Sequence, residues 1–245
     1  MADVIVLLRG LARGQHYWLD FPEQLQQRFP GKRVVALDLA GNGERFAEPS
    51  PATIAAAVED IRQQLQQQGL QPPYQVVGLS LGGMIALEWL HSSNEVERAV
   101  IINSSHAGLC SVFERMYPRA MLRLLCALFY SARLREQQVY WLTSDKGYRQ
   151  AVVARWQALA RQQPVSRANF WRQIRIARSF TRTLKPHPDN TLVLVAEHDH
   201  LVSPRCSRKL AQALQCPLHS NDKAGHDLPL DEPEWVQDQL LAFLY

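Results

Sequence analysis

Val4-Ile5-Val6-Leu7-Leu8 is a continuous apolar run near the start of the chain. Such a run reads as a strand buried on both faces of a parallel sheet. Similar runs recur at Arg33–Leu37, which ends at Asp38, and at Tyr74–Leu79, Glu97–Asn103 and Leu192–Ala196, with a short last one at Pro217–Ser220. Helical patterns lie between them. After a loop at Arg9–Gly14, His16–Phe29 reads as a helix. In Thr53–Gln68 the apolar residues Ile54, Val58, Ile61 and Leu65 repeat at helical spacing, and Gly69 stops the helix. Leu81–Leu90 and Pro233–Leu244 complete the set. The alternation predicts an α/β fold, with a mostly parallel central sheet and helices on both faces.

Between about residues 104 and 188 the alternation fails. Met116–Tyr130, Arg133–Leu142, Tyr148–Gln162 and Ser166–Thr181 are all helical in pattern. The expected organisation is therefore an α/β core formed by residues 1–106 and 188–245, with residues 107–187 inserted as an all-helical cap. Met116–Tyr130 is apolar on most sides. That predicts packing between insertion and sheet, with part of one face lining a pocket. The Gln-rich stretch Gln63–Gln71 reads as a solvated helix face.

Composition narrows the class. A chain of 245 residues, 47% apolar and 20% charged, fits one large globular domain. No apolar run approaches the roughly 18–20 residues of a membrane span. The chain passes from Met1 almost directly into a strand, without the pattern of a leader peptide. A cytoplasmic protein is expected, and Cys110, Cys126, Cys206 and Cys216 are expected to be free thiols. Their spacing suits neither a metal nor a redox motif, so no metal or other cofactor is expected.

Charge is unevenly distributed. Residues 107–187 hold fifteen Lys/Arg against three Asp/Glu, whereas the rest of the chain is net acidic. One reading is that this segment meets something anionic. The other is a solvated helix surface with Arg stems lying over apolar groups. Few clustered aromatics and no nucleic-acid motif accompany the basic residues, so nucleic acid is not an expected partner. No face predicts an oligomeric state.

Gly78-Leu79-Ser80-Leu81-Gly82 matches GxSxG between a strand and a helix, the setting in which that motif presents a nucleophile. The glycines allow a tight turn that side chains would obstruct. A serine hydroxyl needs a base, and the base needs an orienting acid. His226, in Ala-Gly-His-Asp, and Asp199, past the strand Leu192–Ala196, supply both in the order Ser, Asp, His. Asp227 and Asp231 are alternatives to Asp199. His198 and His200 read as loop surface; His91, His187 and His219 as structural or solvated.

These marks, with the loop after the first strand and Asp38-Leu-Ala-Gly-Asn-Gly after the second, resemble the α/β-hydrolase family over essentially the whole length. Small capped serine hydrolases, such as the biotin-pathway carboxylesterase and the menaquinone-pathway synthase, are the most similar in flavour. The resemblance implies Ser80, Asp199 and His226 as catalytic residues. It also implies an oxyanion hole made by the backbone N–H groups of Leu11 and Leu81. One departure stands out: Arg9-Gly10 replaces the usual His-Gly. Arg9, His16 and His106 are candidate substrate contacts, Arg9 as an anion-binding group at the site mouth. The implied reaction is cleavage of an ester or thioester through an acyl-serine. The substrate is a small molecule that is anionic, a coenzyme A thioester, or carried on an acyl carrier protein. Alternatives are elimination or carbon–carbon cleavage on the same triad, or a nonhydrolytic binding protein that uses the basic cap.

Overall fold

The computed structural model describes residues 3–245; residues 1 and 2, at the head of the predicted core segment 1–106, lie outside the described residues. Six strands form one sheet: β1 (Val4–Leu8), β2 (Arg33–Leu37), β3 (Tyr74–Leu79), β4 (Val96–Ile102), β5 (Thr191–Ala196) and β6 (Leu218–Asn221). Their spatial order is β2-β1-β3-β4-β5-β6, and every neighbouring pair is parallel. From β1 the chain steps outward to β2, returns across β1 to β3, and then advances steadily to β6. The order reverses between β1 and β3, and a crevice opens at their carboxyl ends.

Alternation along the strands divides the core into two layers. Val4, Val6 and Leu8 of β1 face one side, where they meet α2 (Ile54–Gln67), α3 (Leu81–Ser92) and α9 (Pro204–Leu214). Ile5 and Leu7 face the other, against α1 (Phe21–Arg28) and α11 (Pro233–Leu244). Five helices occupy the chain between β4 and β5: α4 (Val112–Arg115), α5 (Pro118–Ala127), α6 (Ala132–Thr143), α7 (Gln150–Gln162) and α8 (Arg167–Arg178). A one-turn helix, α10 (Leu228–Asp231), follows β6. No helix among the described residues is long and apolar enough to cross a membrane.

Two predicted helices are broken. His16–Phe29 divides into a short 3-10 turn, Gln15–Trp18, and α1, because Leu19 takes a left-handed φ of 55°. Pro22 then sits in the first turn of α1, where its missing N–H leaves no helical bond unmade. Met116–Tyr130 is interrupted before Pro118, which starts α5 rather than continuing a helix from α4. The expectation that the latter stretch is packed inward holds for only one of its faces. Ala120 and Ala127 are buried, whereas Leu122 and Phe129 are 63% and 77% exposed. The helix α9 was not anticipated, although Ser203-Pro204 marks its start and Cys206, Leu210 and Leu214 repeat every four residues on its buried face.

Candidate active site

The crevice at the sheet's switch point is built around Ser80. Its backbone is strained, with φ 57° and ψ −112°, in the turn between β3 and α3. Two glycines make that turn possible. A Cβ on Gly78 would lie 2.3 Å from the Gly82 carbonyl oxygen, and one on Gly82 would lie 2.3 Å from that of Leu8. The Ser80 N–H donates to the Ile102 carbonyl at 2.8 Å, and the Ser104 hydroxyl donates to the Ser80 carbonyl at 2.8 Å. The end of β4 thus clamps the turn.

His226 sits on the loop after β6, with Asp199 behind it on the loop after β5. His226 Nδ1 lies 2.7 Å from Asp199 Oδ2, and both side chains are buried. The other Asp199 oxygen accepts the N–H groups of Leu201 and Val202 at 2.7 and 2.8 Å, which fixes the carboxylate. An aspartate oxygen at Nδ1 favours the tautomer that carries its proton there. Asn103, buried at the end of β4, braces both loops. Its amide N–H donates to the His226 carbonyl at 2.8 Å, and its oxygen accepts from Ala196 N–H at 2.8 Å.

The two alternative acids are engaged elsewhere. Asp227 receives both terminal nitrogens of Arg9, at 2.9 and 2.6 Å. Asp231 accepts from the Ser144 hydroxyl and from the N–H groups of Asp145 and Gly225. Burial pushes the Asp231 carboxyl above its ordinary range.

Leu11 follows β1 on the loop facing Ser80, and Leu81 opens α3. Among the described residues the N–H groups of both are free of other partners. The loop of Leu11 is held from the far side by Gln173 of α8. The Gln173 side chain is buried, accepts the Ala12 N–H at 2.8 Å, and donates to Asn42 Oδ1 and Ser50 Oγ at 2.8 and 3.0 Å. It therefore joins the helical segment to the loops after β1 and β2.

Two cavities meet at Ser80. The first, about 60 Å³, is lined by Ser80, His226, Gly10, Leu79, Leu142 and neighbouring side chains. Through Leu11, Arg13, Leu124 and Val139 it adjoins an apolar chamber of about 90 Å³. The second, about 70 Å³, is lined by Ser80, Leu11, Leu81, Met84, Met121 and Arg115, among others, and lacks His226. Helix α5 reaches both: Leu124 faces the first and Met121 the second.

The three expected substrate contacts each have partners within the protein. Arg9 lines the first cavity, but its guanidinium is paired with Asp227 and lies 4.8 Å from the centre of the Trp18 ring. The pair ties the loop that carries His226 to the end of β1. His16 is half exposed, lies 3.0 Å from Glu44, and lines a separate cavity with Asp20 and Arg155. His106 uses both ring nitrogens: Nε2 donates to the Arg182 carbonyl at 2.8 Å and Nδ1 accepts from Gly108 N–H at 3.1 Å. Its ring packs edge-on against Phe180, and burial lowers its proton affinity. His198 and His200 both reach Asp145, at 2.7 and 3.2 Å.

Asn103 and Gln173 were missed because an uncharged amide carries no motif; only the fold shows what lies around it. Arg115 and Arg178, at the second cavity, were hidden among many similar arginines.

The sequence profile of the Alpha/beta hydrolase family matches residues 5–239. A protein of Agrobacterium fabrum, provisionally named carbamate hydrolase RutD, is 27% identical over 99% of this chain and 93% of its own length. Carboxylesterase YbfK of Bacillus subtilis is also 27% identical, over 99% of this chain and 80% of its own. The solved esterase from Exiguobacterium antarcticum superposes with a TM-score of 0.79, covering 100% of this chain and 93% of that one at 17% identity.

Proposed function

The chain belongs to the alpha/beta hydrolase family, and from that premise we propose that it is a serine hydrolase acting through an acyl-serine. Its relatives establish an enzyme acting on ester bonds. The observation that carries the finer reading is the Asp199–His226 pair at 2.7 Å, with His226 lining the same cavity as Ser80.

In this reading Ser80 Oγ attacks the carbonyl carbon of an ester or thioester while His226 Nε2 accepts its proton. Negative charge gathers on the carbonyl oxygen, and the N–H groups of Leu11 and Leu81 hold it. The imidazolium, stabilised by Asp199, then protonates the departing alcohol or thiol as the carbon–oxygen or carbon–sulfur bond breaks. Water, deprotonated by the same imidazole, releases the acid and restores Ser80. The helices between β4 and β5 act as a cap that supplies the outer walls of both cavities.

The test is a series of nitrophenyl esters and acyl-coenzyme A thioesters, with wild type and Ser80→Ala compared. Loss of nucleophile and covalent route together lowers kcat by roughly 10⁴ or more, with the folded state unchanged by circular dichroism. Fluorophosphonate labelling of Ser80 must disappear in the same variant. Turnover that survives Ser80→Ala undiminished overturns the reading.

A further inference from the structure

This inference rests on the acyl-serine reading and asks which of the two cavities takes which half of the substrate. The departing atom must lie within reach of His226, because the imidazolium gives it its proton. His226 lines the first cavity and not the second. The leaving group therefore exits through the first cavity and the apolar chamber beyond it. The acyl chain lies on the opposite side of Ser80, in the second cavity, past Leu11 and Leu81.

That second cavity is apolar near Ser80 and basic at its margin, where Arg115 and Arg178 line it together and no acidic residue does. The Arg115 guanidinium is held entirely by neutral oxygens. Its Nε donates to Ser105 Oγ at 3.2 Å, Nη1 to the Arg178 carbonyl at 3.1 Å, and Nη2 to the Ala177 carbonyl. These bonds use three of the five guanidinium N–H donors and leave one on each terminal nitrogen. Neither Arg115 nor Arg178 has a carboxylate partner among the described residues. A partly buried cation without a counter-charge is costly unless a ligand supplies one. Arg115 bears that cost, since burial weakens its hold on its proton. By contrast Arg9 and Arg13, which line the first cavity with Ser80, are each matched to a carboxylate, Asp227 and Glu136.

We propose that the second cavity is an acyl subsite closed by a cation, and that the preferred substrates are esters or thioesters whose short acyl chain ends in a carboxylate. The chain carbons lie against Met84, Met121 and Ile174, and the distal carboxylate meets Arg115 and Arg178. One N–H on each Arg115 terminal nitrogen remains to donate to it. The volume of about 70 Å³ suits a chain of few carbons. The long apolar chamber belongs to the leaving group.

The experiment compares methyl hydrogen glutarate with methyl 5-methylhexanoate, in which an isopropyl group replaces the carboxylate at equal size. Wild type should show a kcat/KM at least roughly tenfold higher for the half-ester, the worth of about one charge-assisted contact. Arg178→Gln and Arg115→Gln should each erode that ratio, with KM for the half-ester rising more than KM for the neutral ester. Arg178 is exposed and its side chain has no hydrogen bond or ion pair among the described residues, so its variant should fold even if Arg115→Gln does not. Calorimetry of methyl hydrogen glutarate with Ser80→Ala should detect binding that Ser80→Ala/Arg178→Gln loses. Equal rates on the two esters, or a half-ester preference intact in Arg178→Gln, overturn the subsite while the hydrolase reading stands. No turnover of either ester, together with arginine-dependent binding to Ser80→Ala, leaves the subsite standing and removes the hydrolase.

Discussion

Nine of the ten large hydrophobic side chains exposed among the described residues lie between Val112 and Trp171, in the segment of helices and turns joining β4 to β5; the tenth, Tyr245, follows α11. Charge follows the same division only in part. In the core, Arg9, Arg45 and Arg62 each meet a carboxylate, whereas Arg119, Arg123, Arg133 and Arg178 of the helical segment meet none among the described residues, although Arg135, Arg149, Arg155 and Arg182 of that segment do. Where core and segment touch, the contacts become specific again: Gln173 on Ala12, Arg13 on Glu136, and Asp231 on Ser144 and Arg149. The difference teaches where each task resides. Strand ends and matched buried pairs hold Ser80, Asp199 and His226 in place. The helices, joined to the core by a few polar seams, wall the cavities at Ser80.

The largest effect on this contrast comes from unpairing the core. Arg9→Met leaves the Asp227 carboxylate buried beside His226 without its cation, which costs about 3–5 kcal/mol. Urea unfolding should show that loss, and Arg9→Met/Asp227→Leu should recover most of it, because no charge is then stranded. Arg133→Met, on the exposed face of α6, should move stability by no more than about 0.5 kcal/mol. If the two single variants are alike, charge pairing does not distinguish core from segment.

A smaller effect tests the seam. Gln173→Ala strands the Ala12 N–H and deprives Asn42 and Ser50 of their shared donor, a loss of about 1–3 kcal/mol for unsatisfied buried groups. The loop that carries Leu11 then loses its far-side support. Turnover should fall on the order of tenfold, in kcat more than in KM, if Leu11 serves the oxyanion. A variant with unchanged kcat and reduced stability would make Gln173 a fastener only.

The same division explains what was legible beforehand. Strands β1, β2 and β3 were readable to the residue, because β1 and β3, buried on both faces, leave nearly continuous apolar runs, and the half-buried edge strand β2 keeps its own short run from Val34 to Leu37. The Ser80 turn was readable because its steric demand falls on glycine alone. In the helical segment the signals conflict. The outward Leu122 and Phe129 imitate a buried face, so Met116–Tyr130 reads as apolar on most sides and packed inward. Pro118 was passed over inside an apolar stretch, and Leu19 shows no sign in its residue type of its left-handed backbone. The site residues supplied by side-chain amides, Asn103 and Gln173, depend on neighbours more than ninety residues away in sequence and leave no local trace. Arg9 was visible, but its partner was not. A cation next to the nucleophile's loop reads as an anion receptor until Asp227 is seen beside it.

The smallest effect concerns how the segment is anchored at its beginning. Ser111 and Glu114 form a capping box on α4: Ser111 N–H donates to Glu114 Oε2 at 2.9 Å, and Glu114 N–H donates to Ser111 Oγ at 3.3 Å. Lys209 of α9 reaches the same carboxylate at 3.1 Å, which ties α4 to the core. The Ser111 N–H, followed by Lys209, holds the Glu114 carboxyl down at about 2, against an ordinary 4.5. A carboxyl whose affinity for protons is depressed on folding stabilises the folded state above its unfolded value, and loses that contribution as pH falls toward the folded one. Glu114→Gln keeps an oxygen for Ser111 but gives Lys209 no charge. Wild type should therefore be the more stable of the two at pH 7 and at pH 5.5, by the same margin, and the gap should narrow steadily between about pH 4.5 and pH 2. Paired denaturation curves across that range decide the matter. A gap that persists undiminished at pH 2.5 means that the side chain's shape, and not its charge, fastens α4 to the core.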